Sequence, residues 1–210
     1  MNSSFLTNSD SKNSLQKRQI LQLCINEGNF SLADLSKELN LSIPTTTRLT
    51  EELIESGFIE DMGKQDTSGG RRPSIYGLKS SAGYFVGTDI GRTSVSICIT
   101  DFKGSCIAFY PKLPFSVENS EASFRELCKL IKKHIEKSDV KQDTVLAYGV
   151  NLSGRVNNET GYCFTYFIGE DRPIASLFEE EFNAPVYVEN DSRAMTYGEY
   201  ICGGCHNERD

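Results

Sequence analysis

SLADLSKELNLSIPTTTRLTEELIESG, residues 31–57, holds two helix starts and two helix stops in one short stretch. Ser31 is a good N-cap, with Asp34 three positions on, and predicts a helix running through Leu39 and closed by Asn40. Ser42 caps the next helix. Pro44 falls in its first turn, where a missing N–H costs nothing. Leu49, Leu53 and Ile54 form its apolar stripe, and Gly57 ends it. Two helices separated by only a few residues have helix-turn-helix geometry. Upstream, Leu15 to Glu27 carries Ile20, Leu23 and Cys24 at helical spacing before Gly28, a third helix. Downstream, Phe58-Ile59-Glu60 and Ile75 to Leu78 flank the polar loop GKQDTSGGRRPS, two short strands around a Gly-rich tip that make a wing.

The helix that begins Pro44-Thr45-Thr46-Thr47-Arg48 has a polar start. Thr46 shares the inward face with Leu49 and Leu53, while Thr45, Thr47 and Arg48 point away from it. Together with the Ser42 hydroxyl, these groups suit phosphates and base edges in a major groove. Glu51, Glu52 and Glu55 on the C-terminal half would be repelled by DNA, so only the first turns should enter the groove. Arg71 and Arg72 place two guanidinium groups on the wing tip, suited to a backbone or a minor groove. Helices with a hairpin also build protein-interaction modules, and a Thr-rich start can be capping alone. Each part is a weak signal, and the ordered combination is the specific one.

The charge of the whole chain argues mildly against a nucleic-acid partner. The chain has a net charge of −7. Residues 1–79 hold nine Lys or Arg against ten Asp or Glu, and residues 80–210 hold thirteen against nineteen, so the excess is in the second part. Phosphate contacts are local, and where the charges lie decides the matter. Residues 1–14 are polar without an apolar run, which reads as a flexible arm rather than a secretory signal. No run approaches the length of a membrane span. Seven scattered cysteines, an odd number, fit reduced thiols in the cytoplasm better than a disulfide framework.

After Gly83 the period changes to two. Tyr84 to Gly87, Ser94 to Thr100 and Ser105 to Tyr110 read as an antiparallel meander, with Val95, Ile97 and Ile99 on one face. Between its first two strands lies Asp89-Ile90-Gly91-Arg92-Thr93. Such a turn lets backbone N–H groups at Gly91 and the Thr93 hydroxyl approach a phosphate, while Asp89 could hold a metal–nucleotide complex. An ordinary hairpin turn is the alternative. Ser120 to Lys137 is an amphipathic helix, Val145 to Val150 a buried strand, Asn157 to Gly161 a turn and Ile174 to Phe182 a helix. The strand Pro185 to Val188 then delivers Glu189-Asn190-Asp191 to its C-terminal end, before a helix from Ser192 to Ile201. Strands with crossover helices and polar residues at their ends define an α/β domain with its site there. Asn190 and Asp191 together can grip vicinal hydroxyls, and Asp191 could serve as a general base. Asp191 could equally cap the helix that follows.

SGGRRPSIY, GTDIGRTSVSI, GVNLSGRV and VENDSRAMTYGEY, in that order, resemble the ROK family of bacterial sugar-responsive repressors and sugar kinases. The resemblance covers nearly the whole chain after the arm. It implies a two-domain α+β and α/β protein: a winged helix-turn-helix over residues 15–79, then the first lobe of an actin-like ATPase or sugar-kinase (ribonuclease H-like) fold over residues 80–210. It implies a transcriptional regulator of carbohydrate genes, a repressor that is not an enzyme, acting on operator DNA as a homodimer or larger and answering to a sugar or sugar phosphate. A kinase with an N-terminal appendage is the alternative. By the same resemblance Asp89, Gly91 and Thr93 match the nucleotide turn, Gly154, Asn190 and Asp191 the sugar site, and Asp191 the kinase base. Arg92 replaces a second Gly and Ser153 a Pro. The resemblance also implies a second lobe beyond residue 210, with a zinc segment, so no metal or cofactor is expected in this chain. Cys202-Gly203-Gly204-Cys205-His206 looks like a metal or redox motif, but zinc needs about four ligands and His134 is the only other histidine.

Overall fold

The computed structural model describes residues 11–64, 73–166 and 172–203. The chain divides into two compact units, Met1–Ala82 and Gly83–Asp210. In the first, α1 (Lys12–Glu27), a two-residue strand β1 (Phe30–Ser31), α2 (Leu32–Glu38) and α3 (Ile43–Glu55) are followed by β2 (Ile59–Lys64) and β3 (Ser74–Leu78). The three strands form one sheet in the order β1-β3-β2, all antiparallel.

The caps explain where the helices begin and end. Ser31 and Asp34 form a reciprocal capping box, the Asp34 N–H donating to Ser31 Oγ at 3.2 Å and the Ser31 N–H to Asp34 Oδ2 at 3.1 Å. Asn40 closes α2 at φ 50°, a left-handed conformation Asn tolerates better than most residues. Ser42 Oγ accepts from the Thr45 N–H, and past the end of α3 Gly57 at φ 79° lets the Phe58 N–H reach Leu53 O at 3.0 Å. Ile20, Leu35, Leu49, Leu53 and Phe58 are fully buried and join the three helices to the ribbon. One expectation fails at the N-terminus. The predicted flexible arm ran through residue 14, yet Ser11 caps α1 by accepting from the Ser14 N–H, and Ser14 is buried. A serine followed by a polar turn carries no apolar period, so the first turn of α1 was invisible to pattern. Residues 1–10 lie outside the described residues.

The second unit is a mixed five-stranded sheet whose strands lie in the order Val186–Asn190, Val145–Leu152, Tyr84–Ile90, Ser94–Asp101 and Cys106–Pro114. Strands β4 (Tyr84–Ile90), β5 (Ser94–Asp101) and β6 (Cys106–Pro114) form the antiparallel meander, and β4–β7 (Val145–Leu152) and β7–β10 (Val186–Asn190) pair in parallel. Helix α4 (Glu121–Glu136) precedes β7, and α5 (Ile174–Phe182) precedes β10. Both cover one face. Phe124, Leu127 and Ile131 of α4 and Phe178 and Phe182 of α5 pack on Val86, Ile97, Tyr148, Val150 and Val188, with Tyr148 and Phe182 stacked at 4.3 Å between ring centres. A short pair, β8 (Val156–Asn157) with β9 (Tyr162–Cys163), brackets the turn predicted at 157–161. Helix α6 (Asp191–Cys202) follows β10 directly and has no buried residue.

Register positions the site. Ile90, Leu152 and Asn190 lie opposite one another, so β4, β7 and β10 end level, and the residues just past them cluster at one edge. All of these strands run further than their apolar patterns. Consequently Asp89 is not in a turn: it is a strand residue paired with Ser96 and Asn151, and the turn proper is Gly91 to Thr93. Hydrogen bonding to β5 and β7 outweighs the loop propensity of Asp and Gly here.

Candidate functional site

On the first unit, the exposed start of α3 is a network already made. Ser42 Oγ and Thr45 Oγ1 are 2.8 Å apart, and the Thr47 hydroxyl donates back to Ile43 O at 2.9 Å. Arg48 projects from the helix but is held, paired with Glu52 and donating to Asn13 Oδ1 at 3.3 Å. Glu52 also takes Lys17 Nζ at 2.8 Å and Asn13 Nδ2 at 3.3 Å. The lysine bond first, with Asn13 and Arg48 adding to it against some desolvation, holds the Glu52 carboxyl below the usual range. Glu52, expected only to repel DNA, is therefore the post to which Arg48 is tied, and Asn13 and Lys17 of α1 share it. Sequence reasoning missed this because the partners lie 35 and 39 positions away. Arg71 and Arg72 fall outside the described residues.

On the second unit, the level strand ends bring Asp89, Ser153, Gly154, Asn190 and Asp191 to one edge. Asn190, not Asp191, caps α6: its Oδ1 accepts from the Arg193 N–H at 3.1 Å. Its Nδ2 donates to Gly154 O at 2.6 Å and Asp191 Oδ1 at 3.1 Å, so Asn190 ties β10 to the segment after β7. Gly154 can serve there because it sits at φ 115°, where a Cβ would come 2.3 Å from Thr165 Oγ1. Asp191 accepts the Ser153 hydroxyl on Oδ2 at 2.7 Å and the Ser192 N–H on Oδ1 at 2.7 Å. Behind it, Glu189 takes the Asn190 N–H, Arg193 and, at 2.8 Å, Asn158 Nδ2.

The carboxylates at this edge are driven apart. The Ser153 hydrogen bond, outweighing desolvation and joined by Ser192 and Asn190, holds Asp191 below the usual range. Partial desolvation first, and the charge of Asp191 second, push Asp89 above it. The Gly91 N–H is spent on Ser94 O at 2.9 Å, and the Arg92 and Thr93 carbonyls accept from Val117 and Phe115. Arg92 and Thr93 themselves are exposed. Among the described residues no cluster of three His, Cys, Asp or Glu could hold a metal ion. Cys202 ends α6 exposed, and Cys205 and His206 lie outside the described residues.

A winged helix-turn-helix followed by a lobe of the sugar-kinase type defines the class of protein. The ROK family model matches residues 85–210, and a winged helix-turn-helix DNA-binding model matches residues 14–60. The chain belongs to the ROK family. It is 28% identical over 191 residues to a xylose repressor of Caldicellulosiruptor bescii, covering 88% of this chain and 47% of that protein. It is 22% identical over 205 residues to the DNA-binding transcriptional dual regulator NagC of Escherichia coli K12, covering 97% and 50%. The crystal structure of a ROK family transcriptional regulator, a homologue of the E. coli MLC protein, superposes with a TM-score of 0.70 at 19% identity over 90% of this chain and 49% of that one. The chain spans about half the length of the curated relatives it matches. No described helix is long and apolar enough to cross a membrane.

Proposed function

We propose that this protein is a sugar-responsive transcriptional repressor, binding operator DNA as a homodimer through α3 and the wing and sensing a sugar or sugar phosphate through the Asn190–Asp191 edge of the second unit. The observation that carries this is one chain holding a groove-reading helix and a polar cluster at level strand ends, the usual ligand position of open α/β sheets. A two-fold operator needs two wings, hence the dimer. Effector binding to the second unit changes the dimer geometry and releases the operator. The repressor names of the relatives from Caldicellulosiruptor and Escherichia support the same reading.

A kinase with an N-terminal appendage draws on one observation, two carboxylates at the strand ends. Against it stands the Gly91 N–H already consumed within its own turn. Fluorescence anisotropy against duplexes from the gene's own upstream region, at two salt concentrations, separates the readings. Specific binding relieved by one sugar is the expected result. No binding by a dimeric protein, together with sugar-dependent ATP consumption, refutes the repressor.

A further inference from the structure

Three donors from two helices meet on one carboxylate. Glu52 of α3 takes Lys17 Nζ at 2.8 Å and Asn13 Nδ2 at 3.3 Å from α1, and Arg48 Nη1 from one turn back on its own helix. Asn13 turns its other polar atom to the same arginine, its Oδ1 accepting from Arg48 Nη2 at 3.3 Å. Arg48 is therefore gripped at both terminal nitrogens while 53% of its side chain stays exposed. Lys17 is the inner end of the cluster, with only 13% of its side chain exposed. An exposed arginine paired at i, i+4 alone keeps most of its freedom. A second prop from another helix is what fixes this one.

We propose that Glu52 and Asn13 are positioning residues that hold the Arg48 guanidinium in its base-reading pose before DNA arrives, and so set the specificity of α3 rather than its affinity. This rests on the reading of α3 as the helix that enters the groove. A guanidinium carries five N–H donors in a planar fork. Glu52 and Asn13 take one from each terminal nitrogen, which leaves Nε–H and one N–H on each terminal nitrogen for acceptors outside the protein. The side chain can keep both props while it meets the paired acceptors of a guanine edge. An unheld arginine gives up much of its rotamer freedom on binding a base, and one already held gives up less. A phosphate contact benefits less from the hold, because it positions the helix without asking for one planar pose. The acidic prop does not cancel the attraction of the site for DNA. Lys17 and Arg48 stand against Glu52 alone, so the cluster keeps one positive charge, and the lysine bond keeps the carboxylate ionised.

The test uses the whole chain as wild type, Glu52→Gln, Asn13→Ala, Arg48→Ala and Arg48→Ala/Glu52→Gln, each checked for folding by urea unfolding. Wild type first enriches a duplex from a random-sequence pool. Fluorescence anisotropy then gives the dissociation constant of each protein for that duplex and for the unselected pool, and the specificity ratio is the second over the first. In Glu52→Gln the ratio falls about tenfold. Loss of an acidic charge beside DNA would by itself tighten binding to both targets alike, which is why the ratio is read and not the affinity. Asn13→Ala, which changes no charge, lowers the ratio as well. In the Arg48→Ala background Glu52→Gln leaves the ratio where Arg48→Ala has put it. A ratio unmoved or raised by Glu52→Gln or by Asn13→Ala overturns the proposal. So does an equal fall in the Arg48→Ala background, since Glu52 would then act through another group. If wild type enriches no duplex at all, the groove-reading assignment of α3 fails and takes the proposal with it.

Discussion

Replacing Gly154 by alanine perturbs the edge through a single methyl group. At φ 115° the residue lies where only glycine is comfortable, and a side chain there costs about 1–3 kcal/mol in backbone strain. The new Cβ would also sit 2.3 Å from Thr165 Oγ1, 2.7 Å from its Cβ and 2.9 Å from its Cγ2, distances no real contact sustains. Thr165 must therefore move, and its Oγ1 is the acceptor for the Arg155 N–H at 3.0 Å. Losing that exposed bond adds about 0.5–1 kcal/mol, for a total of roughly 2–4 kcal/mol. Urea unfolding followed by amide correlation spectra reads the unit Gly83–Asp210 apart from Met1–Ala82. Thr165→Gly removes all three clashing atoms together with the Arg155 acceptor while leaving φ untouched, so on a Thr165→Gly background Gly154→Ala should cost the backbone strain alone, about 1–3 kcal/mol. A Gly154→Ala protein within about 0.5 kcal/mol of wild type would refute the reasoning. A double variant as stable as Thr165→Gly alone would refute its backbone half.

Thr50 is buried on α3 with its hydroxyl unpartnered among the described residues, so Thr50→Val should stabilise the first unit by about 1 kcal/mol in the same urea experiment. Glu52→Gln should cost the first unit about 0.5–1 kcal/mol, a modest figure because the pair is partly solvated. Since the folded Glu52 carboxyl is depressed, its contribution is present above the ordinary glutamate range and is lost as pH falls through the folded value, so wild type and variant should converge in acid. On DNA, Arg48→Ala should relax preference at one operator position, whereas Arg71→Ala or Arg72→Ala should weaken binding more uniformly and flatten its salt dependence, read by anisotropy. The Cys98 and Cys106 sulfurs lie 3.8 Å apart across β5 and β6, and diamide, which takes up one hydrogen from each thiol, should join them, giving one cross-linked peptide on mapping that Cys106→Ser abolishes.

How much of this was legible depends on the range of each signal. Caps are local: Ser31 with Asp34, Ser42 with Thr45 and Gly57 past α3 all act within a few residues, so the helix-turn-helix could be read directly and stands as read. The inward face of β5 was legible for the same reason, since Val95, Ile97 and Ile99 alternate without interruption. Strand ends were not. The apolar pattern stops at Gly87, but β4 continues through Asp89 because pairing with Ser96 and Asn151 supplies what the side chains do not. What a polar residue does at such an end is ambiguous in sequence, because the same atoms can cap a helix or bind a ligand. The sequence offered Asp191 for both tasks and Asn190 for binding alone. Three-dimensional bonding separates them: Asn190 spends its oxygen on Arg193 and its amide on Gly154 and Asp191, which leaves Asp191 as the group with an open acceptor. Ser153 had no sequence signal beyond standing where a proline was expected, since its partner arrives only at the start of α6, after β8, β9, α5 and β10. A recognition edge made of level strand ends is thus written in register, and register is the one property of a parallel sheet that the intervening helices hide from the sequence.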